Sequence, residues 1–461
     1  MTGVESRLFA AQALLAEGWA DNVLFNFGTD GTILSATPDV TKNGLPTARG
    51  PVLPGMLDVH SHAFQRGLAG QTERAGPDND SFWTWREAMY SFVRRLTPEQ
   101  VEAIASQLYV ELLKQGYTAV GEFHYLHHAP GGGRYDEIAE MSLRVVAAAR
   151  YAGIAITHLP VLYSYGGFGC LAVGDAQRRF CNTPDALMRI VDAVRTQYRE
   201  DLGVRVGIAP HSLRAVTSEI LSETVSAVHS EDPTAPVHIH IAEQQKEVTD
   251  CIAWSGMRPV DWLFAHATPD PRWCLVHATH TNDAEIRRIA DSGAIAGLCP
   301  TTEANLGDGV FPLPAYIASR GIYAVGSDSN SSTSPVEELR WLEYGQRLRD
   351  QKRNVTADAN RLSVGANLWI AAATGGAQAL AQPSGKLAAG KRADLIVLDG
   401  EHVDLIGRQG DDILDGFLFS GNDCKVRDVM VGGVWRVVDG HHSEEEIVAT
   451  AYRTSLRELL S

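Results

Sequence analysis

The 461-residue chain has only 6 cysteines, and none stands in a C-x-x-C pair or at a regular spacing. That argues against a disulfide framework and a thiolate zinc knuckle, and reduced thiols in a cytoplasmic protein are the expectation. No run of Lys or Arg forms a basic patch. The 40 Lys plus Arg are outnumbered by 56 Asp plus Glu, for a formal net charge of -16. A field of that sign repels nucleic acid and anionic membranes, so neither is an expected partner. No apolar run is long enough to span a bilayer. The apolar stretch from Leu8 to Ala16 contains Gln12 and is followed at once by Glu17, so no signal peptide is expected. No G-x-G-x-x-G turn follows the first strand of the central region, which excludes a dinucleotide fold.

What is present is an ordinary globular composition, 44% hydrophobic and 21% charged. The first fifty residues read as short strands and turns. From Gly55 to about Thr374, apolar β-like runs alternate with helical stretches. The runs are GMLDVH, TAVGEFHY, IAITHLPVLY, VRVGIAP, VHIHIAE, WCLVHAT, AIAGLCP and YAVGSDS. Such alternation predicts a (β/α)₈ barrel of the TIM type. After Gly385 short strands return, and Ser443 to Leu460 reads as a terminal helix. The expected organisation is a barrel over residues 55–376, inserted into a small composite β-sandwich domain built from residues 1–54 and 377–461.

In such a barrel the reactive groups sit at the C-terminal ends of strands. The first run ends in His60-Ser61-His62, and residues i and i+2 of a strand share a face. An H-x-H alone is weak. The fifth run ends in His238-Ile239-His240-Ile241-Ala242-Glu243, and the eighth in Gly326-Ser327-Asp328. Three strand ends offering His and Asp together point to a metal centre. Nitrogen and carboxylate donors without thiolate suit Zn²⁺ or Fe²⁺. The fourth run, VRVGIAPHS, has no Lys to carry a bridging carbamate, which points to one divalent ion.

PGMLDVHSHAFQ, HIHIAEQ, LVHATH and GSDSN, in that order, resemble the amidohydrolase superfamily and its mononuclear deaminase branch. HSHAFQRGLAG, SFWTWREAMY, GEFHYLHH, APHSLRAV, HIHIAEQQKEV and VEELRWLEYGQRLRD are most similar to the members that act on N-formimino-L-glutamate in histidine degradation. The resemblance covers nearly the whole chain and implies a homodimeric, zinc-dependent hydrolase. It implies metal ligands at His60, His62, His240 and Asp328. Glu243 is implied as the proton shuttle, and Asp328 as a second acceptor for the water proton. His277, ending the sixth run, is implied to bond the developing tetrahedral centre. The substrate carries two carboxylates, which call for arginine. Arg214 after the fourth run is the first candidate, and Arg86 in the long loop after the first is the second. Gln65, Tyr125 and His211 complete the implied pocket.

Blander readings stand beside these. His124, His127 and His128 read as a packed or solvated loop rather than a second metal site. His238, one layer deeper than His240, reads as a hydrogen-bonded core residue, and His158 as a core residue too. Trp83 and Trp85 either pack the loop or form a lid that excludes water. Ser329 and Asn330 are open as substrate contacts, and neither is assigned. Other C=N hydrolases of the same branch, acting on a purine, pterin, triazine or guanidino compound, remain alternatives. A non-catalytic barrel scaffold is a second alternative, and it should have lost ligands that are all present here.

Overall fold

The computed structural model describes residues 6–74, 80–359 and 361–461. Both chain ends enter one eight-stranded sheet. Its strands are β1 (Ser6–Leu15), β2 (Gly18–Phe27), β3 (Ile33–Thr37) and β4 (Val52–Pro54), with later strands β14 (Leu395–Leu398), β15 (Val426–Val431), β16 (Val434–Val438) and β17 (His441–His442). The order is β17-β16-β15-β14-β4-β1-β2-β3, so β4 joins the two ends. β2 and β15 are four places apart, roughly 19 Å in a flat sheet at 4.8 Å per strand. Nevertheless Phe25 and Phe27 of β2 share one buried cluster with Leu395, Val397 and Met430. The sheet therefore curls over on itself around that core, and Thr32 reaches Arg392 through a backbone bridge.

Between β4 and β14 lies the barrel. Its strands are β5 (Met56–Ser61), β6 (Tyr117–His124), β7 (Ala155–Leu162), β8 (Val204–Val206), β9 (Ala209–Pro210), β10 (Val237–Ile241), β11 (Trp273–His277), β12 (Ile295–Leu298) and β13 (Ile322–Val325). All neighbouring pairs are parallel. Bridges Ser61 to Asp328, Ile208 to Val237 and Ser212 to His240 close the ring. β5, β6 and β7 are buried along their whole length, as strands covered on both faces must be.

Two features differ from the sequence reading. The fourth strand is split into β8 and β9 at Gly207, where any Cβ would lie 2.3 Å from the Pro236 carbonyl oxygen. The backbones meet too closely there for a regular ladder, and Pro210 has no N–H to extend it. Secondly, the long loop after β5 contains a helix, Phe82–Val93. Ser81 caps it: its hydroxyl accepts from the Trp83 amide, and Thr84 bonds back to Ser81. The periodicity is legible in hindsight, because Phe82, Met89, Tyr90 and Val93 form its buried face.

The helix Val364–Ala379 seals the bottom of the barrel against β5 and β13, with Gly375 lying directly on the Tyr323 carbonyl. The terminal helix, Glu445–Leu460, packs on the helix Pro98–Gln115. Among the described residues no helix is long and apolar enough to cross a membrane.

Candidate active site

At the C-terminal mouth of the barrel, β5, β10 and the turn after β13 bring His60, His62, His240 and Asp328 together. His60 Nε2 lies 3.0 Å from His240 Nε2. Asp328 Oδ1 is 3.5 Å from His60 Nε2 and 3.3 Å from His62 Nε2. The remaining nitrogens decide what these atoms can be. His62 Nδ1 donates to the Phe123 carbonyl at 2.8 Å, and His240 Nδ1 to the His211 carbonyl at 3.0 Å. In the neutral rings Nε2 is then a bare lone pair. Burial keeps the rings neutral, pushing His60 down to about 3, lowering His62 and holding His240 well below its usual value. Buried lone pairs and a carboxylate converge with too few donors to satisfy them, and His60 Nδ1 has no hydrogen-bond partner among the described residues. Such a donor set fits a divalent cation.

A second layer fixes these groups. Asn330 Nδ2 donates to the carbonyls of His62 (3.1 Å) and Asp328 (2.9 Å), tying the end of β5 to the turn after β13. Ser327 Oγ lies 2.6 Å from Asn330 Oδ1 and 2.5 Å from Asp58 Oδ2. One hydroxyl proton cannot serve both oxygens. Burial pushes the Asp58 carboxyl up to about 7, so a protonated Asp58 can supply the second donor. Asn330 therefore clamps the two backbone segments together. Neither Asp58 nor Ser327 was singled out from sequence, although Asp58 shares the alternation of His60 and His62.

Glu243 and His277 stand beside the cluster. His277 Nε2 is 3.9 Å from Glu243 Oε1 and 3.7 Å from Asp328 Oδ2. Its Nδ1 faces Glu303 Oε1 at 3.2 Å, and that carboxylate also accepts from the Cys299 amide. Burial pushes His277 down, but Glu243, Glu303 and Asp328 outweigh it and hold the ring up at about 10. Burial raises Glu243 to about 7 against the pull of His277 and Arg214. Asp328 is buried too, yet His60, His277 and His62 hold it below the usual carboxylate range. The strand ends are locally strained: Ala242 (φ 50°), His277 (68°), Ala278 (49°) and Asp328 (50°) occupy the left-handed region. Each such residue costs on the order of 1–3 kcal/mol, which the surrounding bonds must hold. Glu247 contributes by accepting from the amides of Ala242 and Glu243 at 3.2 Å each. Glu303 and Glu247 were missed because each lies in a helix whose sequence gives no hint that it reaches back to a strand end.

All the expected site residues except His60 line one cavity of about 710 Å³, measured to its open mouth. Gln65 Nε2 donates to the Tyr125 hydroxyl at 2.7 Å, and both face it with His211. Arg86, from the helix Phe82–Val93, and Arg214 line the same wall. Neither forms an ion pair among the described residues. Tyr90 and Tyr163 also line it, and Gln177 Nε2 bonds the Tyr163 hydroxyl at 2.7 Å.

The other histidines lie elsewhere. His238 Nε2 meets the Ala379 carbonyl at 2.8 Å, in the core. His124, His127 and His158 are buried around one another, with ring centroids 5.8 and 5.5 Å from that of His124. His124 ends β6 rather than lying in the loop, and this cluster is outside the cavity.

A parallel barrel with a metal-binding His/Asp cluster at its mouth, and buried acid–base groups beside it, defines a metal-dependent barrel hydrolase. The comparisons agree and narrow the class. The chain belongs to the amidohydrolase family, whose model matches residues 52–436. The model of the formimidoylglutamate deiminase HutF N-terminal domain matches residues 5–44. Formimidoylglutamate deiminase of Pseudomonas aeruginosa is 54% identical over 455 residues, which cover 99% of this chain and 100% of that one. An 8-oxoguanine deaminase of the same organism is 30% identical over 85% of this chain and 83% of its own. The crystal structure of an amidohydrolase from Brucella melitensis superposes with a TM-score of 0.93 at 46% identity, covering 99% of this chain and 100% of that one.

Proposed function

We propose that the protein hydrolyses N-formimino-L-glutamate to N-formyl-L-glutamate and ammonia. One observation carries the reading: two arginines that form no ion pair among the described residues face the same cavity as the metal-binding cluster and the Glu243–His277 pair. A dicarboxylate with a C=N group needs both features, whereas a neutral heterocycle needs neither arginine. The 54% identity to the Pseudomonas enzyme supports it.

In this reading His60, His62, His240 and Asp328 hold one divalent ion, zinc by preference. When bound, the ion acts as a Lewis acid that makes water acidic near neutral pH. The rest falls to the side chains. Arg214 and Arg86 bind the two carboxylates, while Gln65, Tyr125 and His211 orient the formimino group by hydrogen bonds. Glu243 and Asp328 stand where they can take the proton of the attacking water. Oxygen adds to the C=N carbon, and His277 donates to the tetrahedral centre. Glu243 returns its proton to nitrogen and then carries the proton of the added hydroxyl to the same nitrogen, so that the C–N bond breaks and ammonia leaves as C=O forms. A carboxyl that titrates near 7 suits both halves of that exchange. The catalytic unit spans residues 55–376, with residues 1–54 and 377–461 as its flanking domain. A cytoplasmic homodimer belongs to the same reading, and the free state of the described cysteines supports the compartment.

The deciding experiment is ammonia release by zinc-loaded protein given N-formimino-L-glutamate, N-formimino-L-aspartate, guanine or cytosine. Release from the glutamate compound alone is expected. Release only from a heterocycle would overturn the substrate and keep the chemistry. Metal analysis should give one ion per chain, and sedimentation should give a dimer.

A further inference from the structure

Arg86 and Arg214 are unusual for a chain with this excess of acid. Most buried or half-buried arginines here are met by a carboxylate, as Arg150 is by Asp201 at 2.6 Å and Arg258 by Glu285 at 2.8 Å. These two form no ion pair among the described residues and lie over an indole, although Glu247 and Glu243 act on Arg214 from beyond ion-pair distance. The Arg86 guanidinium lies 4.6 Å from the centroid of the Trp83 ring, and that of Arg214 lies 5.8 Å from it. The Lys246 ammonium is also 5.8 Å from the ring, but it already has Asp250 at 2.6 Å. Arg86 Nε is buried without a hydrogen-bond partner among the described residues. Trp83 is not part of the cavity wall, whereas both arginines are. The indole therefore contacts the two cations without itself facing the space that they line.

The chain arrangement explains how one ring reaches cations from separate loops. Trp83 and Arg86 are three residues apart on one helix and share a face. Arg214 comes from the loop after β9, and Lys246 from the first turn of the helix Gln245–Ser255. An aromatic face attracts a cation through its quadrupole but takes up none of the in-plane N–H donors. A carboxylate in the same place would occupy those donors and compete with the substrate.

We propose that Trp83 is a positioning residue that sets specificity for dianions. Its ring takes the place of a directly paired carboxylate against Arg86 and Arg214 and keeps the donors of both guanidiniums free for the substrate's two carboxylates. This rests on the reading of N-formimino-L-glutamate as substrate.

Three variants of the full-length, zinc-loaded protein test it. Trp83→Leu should raise KM for N-formimino-L-glutamate about tenfold, with kcat within about twofold, since the loss is one of desolvated cation–π contacts. Trp83→Phe should recover most of that loss. Trp83→Glu is the sharpest arm. At the second position of a helix a carboxylate is favourable for folding. It should nevertheless raise KM several-fold beyond Trp83→Leu, because it pairs with the arginines. Calorimetry with glutarate, a dianion that is not turned over, should rank the variants in the same order. The proposal is overturned if KM is unchanged in Trp83→Leu, if Trp83→Glu is no worse than Trp83→Leu, or if kcat falls as much as KM rises in both Leu and Phe variants. That last pattern is what mere packing of the helix would give. Failure of the substrate reading is distinct: the unaltered protein would then release no ammonia from N-formimino-L-glutamate.

Discussion

The metal side of the cavity stands on strand ends, whereas its cationic side stands on one helix and one loop. His62, His240, Asp328 and Asn330 are each fixed by hydrogen bonds to backbone carbonyls or by left-handed backbone that the barrel enforces. Arg86 and Arg214 touch aromatic faces and have no such bonds among the described residues. In the proposed reaction, the groups that hold charge are locked, while the groups that select the substrate keep their donors open. The difference predicts that changes on the first side act on turnover and those on the second act on binding.

The largest test is Glu243→Gln. A lost proton shuttle is worth about 10³-fold in kcat, and metal content should stay at one ion per chain. The unaltered enzyme should lose kcat/KM as pH falls below about 7, because Glu243 must be ionised to accept a proton and burial has raised it to about 7. That acid limb should vanish from the residual rate of the variant. Normal turnover in Glu243→Gln would remove it from the mechanism. Next in size is Arg214→Met. Losing a charge-assisted contact of about 2 kcal/mol is roughly a thirtyfold rise in KM, with kcat little changed. An analogue lacking one carboxylate should lose much less. Equal loss on both substrates, or a collapse of kcat, would break the distinction between the two sides.

How much of this was legible beforehand follows the same division. Strand-end ligands advertise themselves, since HSH, HIHIAE and GSD each close an apolar run. The alternation of runs and helical stretches was enough for the barrel. The split at Gly207 was not legible, because it depends on the approach of Pro236 from the next strand. Nor was the helix carrying Arg86, because its apolar residues lie in a long stretch that also reads as loop. Glu303 was invisible for a further reason: it meets His277 only because the helix Pro300–Leu306 folds back over the mouth, 26 residues on in sequence. Glu303→Gln should therefore keep KM and lower kcat about tenfold, the worth of one charge-assisted bond that orients His277. A rise in KM without a change in kcat would move Glu303 to the binding side.

The smallest effect tests the lock itself. Asn330 has φ 60°, so Asn330→Ala would mix backbone strain with loss of the amide. Asn330→Gly keeps the left-handed backbone at no steric cost and removes only the side chain. The carbonyls of His62 and Asp328 then lose their shared donor, and the end of β5 is no longer tied to the turn after β13. Both tethered residues belong to the proposed ligand set, so the ligands should still be present but less well ordered. Outer-shell losses of this kind weaken metal affinity by about tenfold, and at saturating zinc kcat should stay within about twofold. Zinc titration of the apoprotein separates the two readings. If affinity holds and kcat falls, Asn330 acts on substrate rather than on the frame, and the cavity's rigid side is less purely structural than its hydrogen bonds imply.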